Sequence, residues 1–421
     1  MMSKAKKKFK TFSIQVLIIA FTLVVLDTIL FFSLPERFAS QFPGYREGFY
    51  VAEVIGRGYP KDYFEANVER GFDIKPTDVP RTDQIHHMDD YSYPVWSNNL
   101  GCFDKPADMS KDRFWYMAGD SIAWGHAKFE DLMGSVLEKN EGIEILQCGV
   151  THTGQRHQFA KFLEIGKKLG RWPERVLVFY SPTDAANDYL HPHSTVVDGG
   201  LTDSRMLDKD DNIVDLDQGW FDQIKAQREA DKPSSEGQPT TFSLSRFLLQ
   251  YSMTAHFLNM GLHFIDNHAP WFGRHIGVLG EEPGLDWYDK YIVYKGKKLY
   301  DLHRLTYFQT QQGYLEYTNF AHADRNKAII KQWHAHALAK GYKLEFVLPH
   351  PGPSSVYGGE DVTHFYKEFI AFLSSETIKY YDLIAELEKR EIEADDLYWE
   401  QDTHMSNKGN RVVGKILSEL M

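Results

Sequence analysis

Three short apolar runs constrain this chain more than any other feature: "RFWYM" from Arg113, "IEILQC" from Ile143 and "RVLVFYS" from Arg175. Each is almost continuously apolar rather than alternating, which predicts strands covered on both faces. Between them lie "FEDLMGSVLEKN" (129–140) and "RHQFAKFLEIGKKLG" (156–170), whose apolar residues recur at helical spacing. Strands buried on both faces and joined by helices predict a parallel sheet between two helical layers, a three-layer α/β/α sandwich. The alternation breaks after about residue 190. It resumes with the helix "ADRNKAIIKQWHAHALAKG", the strand "KLEFVLP" (343–349), the helix "HFYKEFIAFLSS", the strand "IKYYDL" and the helix "NKGNRVVGKILSEL".

The core therefore reads as two parts, 113–190 and 319–421, separated by an insertion at 191–318. That insertion, read as a lid or substrate region, holds an acidic, turn-rich stretch, "DKDDNIVDLDQG", and an apolar helix candidate at 244–265. Residues 35–112, rich in turn formers, read as an irregular stalk and lead-in. Ahead of them, a basic tail (1–10, with "KAKKKFK") precedes "TFSIQVLIIAFTLVVLDTILFFSL" at 11–34. At about 1.5 Å per helical residue this run crosses a hydrocarbon layer of roughly 30 Å. Lysines before the span and few after it predict a single-pass anchor with a cytoplasmic N-terminus, and the remainder periplasmic or extracellular. A cleaved signal peptide is the competing reading, but no clear small-x-small site follows; "FAS" at 38–40 is the nearest approach.

A net charge of −12 argues against a nucleic-acid surface, which needs clustered Lys and Arg. The two cysteines, Cys102 and Cys148, exclude a disulfide scaffold and a cysteine-based zinc cluster. They read as two buried free thiols at least as well as one disulfide. The histidine pairs at 86–87 and 191–193 lack the carboxylate partners and helical spacing of a metal site, so neither metal nor cofactor is expected.

In parallel α/β sheets ligands bind beyond the carboxyl ends of the strands. Three predicted strand ends carry "AGDS", "CGVTHTG" and "SPTDAAND", and "DTHMSNKGN" (402–410) precedes the last helix. A serine nucleophile needs a base to take its proton and a carboxylate to orient that base. Ser121, His404 and Asp402 supply these in order, with Asp120 read as structural support of the turn. Serine is also a favoured helix cap, and Asp-x-His a common turn pattern. The joint placement of these residues at predicted strand ends favours the chemical reading.

These blocks resemble the SGNH (GDSL-type) hydrolase family: "GDSIAWG", "QCGVTHTGQRHQ", "VLVFYSPTD" and "DTHMSNKGNRVVGKIL". "SNNLGCFD" is also similar to the segment preceding the nucleophile in membrane-anchored bacterial members. The resemblance covers roughly 95–200 and 321–421. It implies a flavodoxin-like sheet, Ser121 as nucleophile, His404 as base and Asp402 orienting it. It also implies an oxyanion hole made of the Ser121 N–H, a second-block glycine N–H and a third-block Asn. The glycine position falls on His152, flanked by Gly149 and Gly154, and the Asn position falls on Thr183, with Asn187 four residues on. Loss of one oxyanion donor costs about 2.7–4 kcal/mol of transition-state stabilisation.

Three functions follow as expectations. The first is an extracytoplasmic esterase acting on O-acyl (O-acetyl foremost) groups of envelope glycans, with lipid esters next. The second is an O-acyltransferase using the same triad, and the third a catalytically weak or inactive glycan-binding or scaffold protein.

Overall fold

A computed structural model describes residues 59–78, 84–87, 91–108, 111, 113–208, 212–230, 291–295, 297–300, 319–349, 363–399 and 404–421, together with Thr22 and Val25. Nearly all belong to one compact unit, Arg57–Lys232 with Trp287–Met421. The expected membrane span and the apolar helix candidate at 244–265 lie outside the described residues, apart from Thr22 and Val25. No helix among the described residues is long and apolar enough to cross a membrane.

Two antiparallel hairpins come first: β1 (Phe64–Asn67) with β2 (Gly71–Ile74), and β3 (Ile85–His87) with β4 (Ser92–Pro94). The lead-in read as irregular is therefore built. Tyr63, Phe72, Tyr91, Val95 and Phe103 pack it against Trp124, Ala127 and Val150 of the core. The core opens with β5 (Phe114–Gly119) and the short helix α1 (Ser121–Trp124). The single helix expected at 129–140 is split. A 3₁₀ turn at Phe129–Asp131 meets α2 (Met133–Glu141) across Leu132, whose extended backbone (φ −56°, ψ 145°) interrupts the helical path. There follow β6 (Glu144–Gln147), α3 (Gln155–Leu169), β7 (Arg175–Phe179) and α4 (Pro182–Tyr189).

Within the insertion the structure describes β8 (Ser194–Val197) paired with β9 (Gly200–Asp203). It also describes β10 (Arg205–Asp208), β11 (Ile213–Asp215), α5 (Gln218–Ala230), β12 (Tyr291–Tyr294) and β13 (Lys297–Tyr300). Of the acidic stretch, Asp208 ends β10 and Ile213–Asp215 form β11, within a sheet of order β11-β10-β13-β12. The core resumes with α6 (Asp324–Lys340), β14 (Lys343–Leu348), α7 (Thr363–Ser375), β15 (Lys379–Asp382), α8 (Leu383–Lys389) and α9 (Asn407–Leu420).

The central sheet has the order β15-β14-β7-β5-β6, and every pairing in it is parallel. Successive strand residues serve opposite faces. Tyr116, Val176, Val178 and Phe346 meet Phe162, Trp333 and Phe369 of α3, α6 and α7. Met117, Leu177, Phe179 and Val347 meet Met133, Leu137, Val413 and Leu417 of α2 and α9. Each such buried side chain contributes about 1.5–3 kcal/mol, so both helical layers are held by the sheet they cover. Renumbered along the chain, the order is 2-1-3-4-5, the flavodoxin-like arrangement. The chain leaves β5 for β6 on one side and returns to β7 on the other, which opens a crevice at the carboxyl ends of β5 and β7.

The two cysteines form a disulfide, with Cα atoms 4.5 Å apart. It joins the lead-in to the residue that follows β6. A buried ionic cluster makes a second tie: Lys161 Nζ on α3 donates to Asp73 Oδ1 (2.5 Å) and to the Gly101 carbonyl (2.5 Å). Arg70 donates to Asp73 Oδ2 (2.6 Å) and Glu164 Oε2 (2.7 Å).

Candidate active site

Ser121 lies at the β5/β7 crevice. Gly119 ends β5 at φ +147°, and a Cβ there would come within 2.7 Å of both the Phe179 carbonyl oxygen and the Ala123 Cβ, so the turn into α1 needs glycine. Asp120 caps α1: its Oδ1 accepts from Ile122 N (2.9 Å), and its Oδ2 accepts from the Ser181 and Thr183 hydroxyls (3.0 Å each). One carboxylate therefore fastens the end of β5 to the end of β7, the structural role expected of it. Burial pushes the Asp120 carboxyl above its ordinary range; the Ile122 N–H, the two hydroxyls and His404 pull it back. Behind it lies a second buried acid, Asp184. It accepts from Ser181 N (3.0 Å), Gln158 Nε2 (2.9 Å) and Gln155 Nε2 (3.2 Å), and burial, then Asp120, raises it well above the usual carboxylate range.

Ser121 is half-buried, and its backbone carbonyl accepts from Gly125 N (3.0 Å). The loop carrying His404 is clamped to the same turn at several points. Asn410 Nδ2 donates to the Gly125 carbonyl (2.8 Å), Lys128 N to Asn407 Oδ1 (2.9 Å), and Trp399 Nε1 to the His126 carbonyl (2.9 Å). Trp399 N in turn donates to the His404 carbonyl (3.1 Å). The His404 ring stacks on that of His126, with centroids 3.6 Å apart and planes 12° apart. His404 is thus brought against His126, five residues beyond Ser121 at the end of the same turn. Asp402 lies outside the described residues.

The second-block loop follows β6, where Val150 N donates to the Gly119 carbonyl (3.0 Å). Gly149 packs so tightly beneath α1 that a Cβ would stand 2.3 Å from Trp124 N. His152 occupies the position where the family resemblance expects glycine, and it is exposed, with φ +54°. The left-handed backbone is kept without the residue that adopts it most cheaply; for an L-residue that costs about 1–2 kcal/mol, and His is among the types enriched there. Gly154 caps α3.

On α4 the two oxyanion candidates separate. The Thr183 hydroxyl is engaged with Asp120 and Ser181. Asn187 follows one turn later on the same helix face; it is buried (5% exposed), and no hydrogen bond is described for its carboxamide.

Sequence reasoning missed His126 and the Trp399 clamp. Both are partners across long sequence separations; the only local signal is that His126 ends the "GDSIAWGH" block. Among the described residues no group of three His, Cys, Asp or Glu is placed to hold a metal ion. A cavity of about 440 Å³ lies at the opposite, amino-terminal ends of β5 and β6, lined by Lys111, Arg113, Trp115, Glu141 and Glu144 among others, and takes no part in this site.

The fold and site define a doubly wound α/β protein with a capped serine turn at its switch point. No family model matches the chain, and no curated protein matches it. Among solved structures it is similar to a protein described as lipolytic and of the G-D-S-L family, from Desulfitobacterium hafniense DCB-2. The two share 13% identity at a TM-score of 0.33, over 74% of this chain and 100% of that one. A likeness of that size carries no argument about function.

Proposed function

We propose that this chain is a serine acyl-ester hydrolase. The observation that supports this reading is the clamping of the segment around His404 onto the residues that leave the Ser121 turn, by Asn410 on Gly125, Trp399 on His126 and the His126–His404 stack. In this reading Ser121 Oγ attacks the ester carbonyl while His404 takes its proton. The developing oxyanion is held by the Ser121 N–H and the Asn187 carboxamide. His404 then protonates the departing alcohol, and water, activated by the same imidazole, resolves the acyl-enzyme. Asp402, two residues before His404, is assigned the orienting role. Thr183 is assigned to Asp120 rather than to the oxyanion.

The substrates proposed are O-acylated, chiefly O-acetylated, glycans of the cell envelope. Two features support an extracytoplasmic, membrane-anchored setting: the apolar run at 11–34 behind its basic tail, and the Cys102–Cys148 disulfide, a bond that persists in oxidising compartments.

The test is hydrolysis of a chromogenic acetyl ester by the detergent-solubilised full chain, beside Ser121→Ala. Turnover and fluorophosphonate labelling should both vanish in the variant. A wild-type chain that neither turns over ester nor labels would remove the hydrolase reading and leave the binding protein. Labelling with transfer of the acyl group to added glycan, faster than to water, would replace hydrolysis by acyl transfer.

A further inference from the structure

The stacked histidines deepen this reading of the site and, for turnover, rest on it. We propose that His126 is a positioning residue for His404: a fixed aromatic plate that sets the plane of the base's imidazole through contact with its face. The placement begins in the sequence, since Gly125 and His126 directly follow α1. Gly125 (φ +106°) and His126 (φ +39°) both adopt left-handed backbone, which turns the chain sharply at the end of the helix that carries Ser121. The plate is thus bonded covalently to the nucleophile's own turn.

The His126 ring is held on all sides. It is 3% exposed, with Nδ1 at 2.7 Å from the Tyr91 hydroxyl and Nε2 at 3.2 Å from the Tyr59 hydroxyl. A neutral imidazole has one donor and one acceptor nitrogen, so two hydroxyls satisfy it without a proton to spare. Burial, and then the facing His404, His86 and His152, hold its pKa well below the ordinary histidine range. The plate therefore adds no charge when the ring above it takes up a proton.

The circuit closes through Trp399, whose indole N–H binds the His126 carbonyl and whose backbone N–H binds the His404 carbonyl. Backbone contacts fix the position of His404 but not the plane of its ring. A ring face at 3.6 Å and 12° restricts that plane. Catalytic rate depends steeply on such alignment, and misplacement by about 1 Å costs on the order of 10²-fold.

The test uses the full chain with two substitutions. His126→Phe keeps a plate and loses the tyrosine contacts. His126→Asn loses the plate but tolerates the left-handed backbone. With a chromogenic ester, His126→Asn should lower kcat by 10- to 100-fold with KM within about 3-fold, while His126→Phe should recover most of that loss. Independently of turnover, the His404 Cε1–H resonance should show a ring-current displacement in the wild type and in His126→Phe, absent in His126→Asn. If Phe and Asn damage kcat equally, or if the displacement is absent in the wild type, the proposal fails. A displaced resonance in a chain without esterase turnover would uphold the stack and count against the functional reading instead.

Discussion

Reduction of the Cys102–Cys148 bond tests the join between the lead-in and the catalytic sheet. The cysteines are 46 residues apart, and both lie in the same compact unit. Closing a loop of that length removes entropy of about 2.1 + 1.5R ln 46, or roughly 13.5 cal/mol/K, from the unfolded chain. At 25 °C this is about 4 kcal/mol, a factor of about 10³ in the folding equilibrium. With an m-value of about 3 kcal/mol/M, the urea midpoint should fall by about 1.3 M. The assay is urea unfolding of the full chain followed by tryptophan fluorescence, with and without reductant, beside thiol titration in denaturant. Protein made in an oxidising compartment should show no free thiols before reduction and two after. Two thiols in the untreated protein would sink the pairing. A midpoint that does not move after both thiols have been released would sink the loop-entropy argument. The consequence reaches the site, because Cys148 directly precedes the Gly149–Gly154 loop that packs under α1.

Asp73→Ala strands Lys161 and Arg70, 2% and 4% exposed, without their shared carboxylate; a loss of about 3–5 kcal/mol in urea stability is expected, and a loss below 1 would show the cluster to be unimportant. His191 is held down to about 4 by burial, with Arg156, Arg205 and Arg70 adding to it against a hydrogen bond to the Glu69 backbone. Its folded value lies below the unfolded one, so its contribution is complete above about pH 6.5 and falls as pH drops towards 4, by up to about 1.4 kcal/mol per unit. His191→Gln should therefore gain on the wild type in urea midpoint between pH 7 and 4.5, and a pH-independent difference would refute the assignment. Asn187→Ala should lower kcat by about 10²–10³ as an oxyanion donor, whereas Thr183→Val should cost less; the reverse order would return the role to Thr183.

The sequence alone determined most elements of the central sheet and its helical layers. Short continuous apolar runs alternating with segments of helical spacing point to strands covered on both faces, so the three-layer sandwich followed from "RFWYM", "IEILQC" and "RVLVFYS" and the helices between them. The Asp-Ser pair after "FWYMAG" marked a turn at a strand end, and the structure added that Gly119 there leaves no room for a side chain. The lead-in was not legible, because its hairpins alternate over only three or four residues and are held by side chains such as Lys161 far along the chain. Leu132 was missed for a similar reason: helical spacing persists across a backbone break that a single ψ angle makes.

What only the tertiary structure decided concerns pairs distant in sequence. The cysteines bond because the lead-in folds back beside β6. Thr183 is spent on Asp120 because β5 and β7 are neighbours in the sheet. His126 meets His404 because α9 and its preceding loop return to the first turn of the core. Periodicity and propensity act over a few residues, whereas contacts across the switch point depend on strand order, and no local pattern encodes that order.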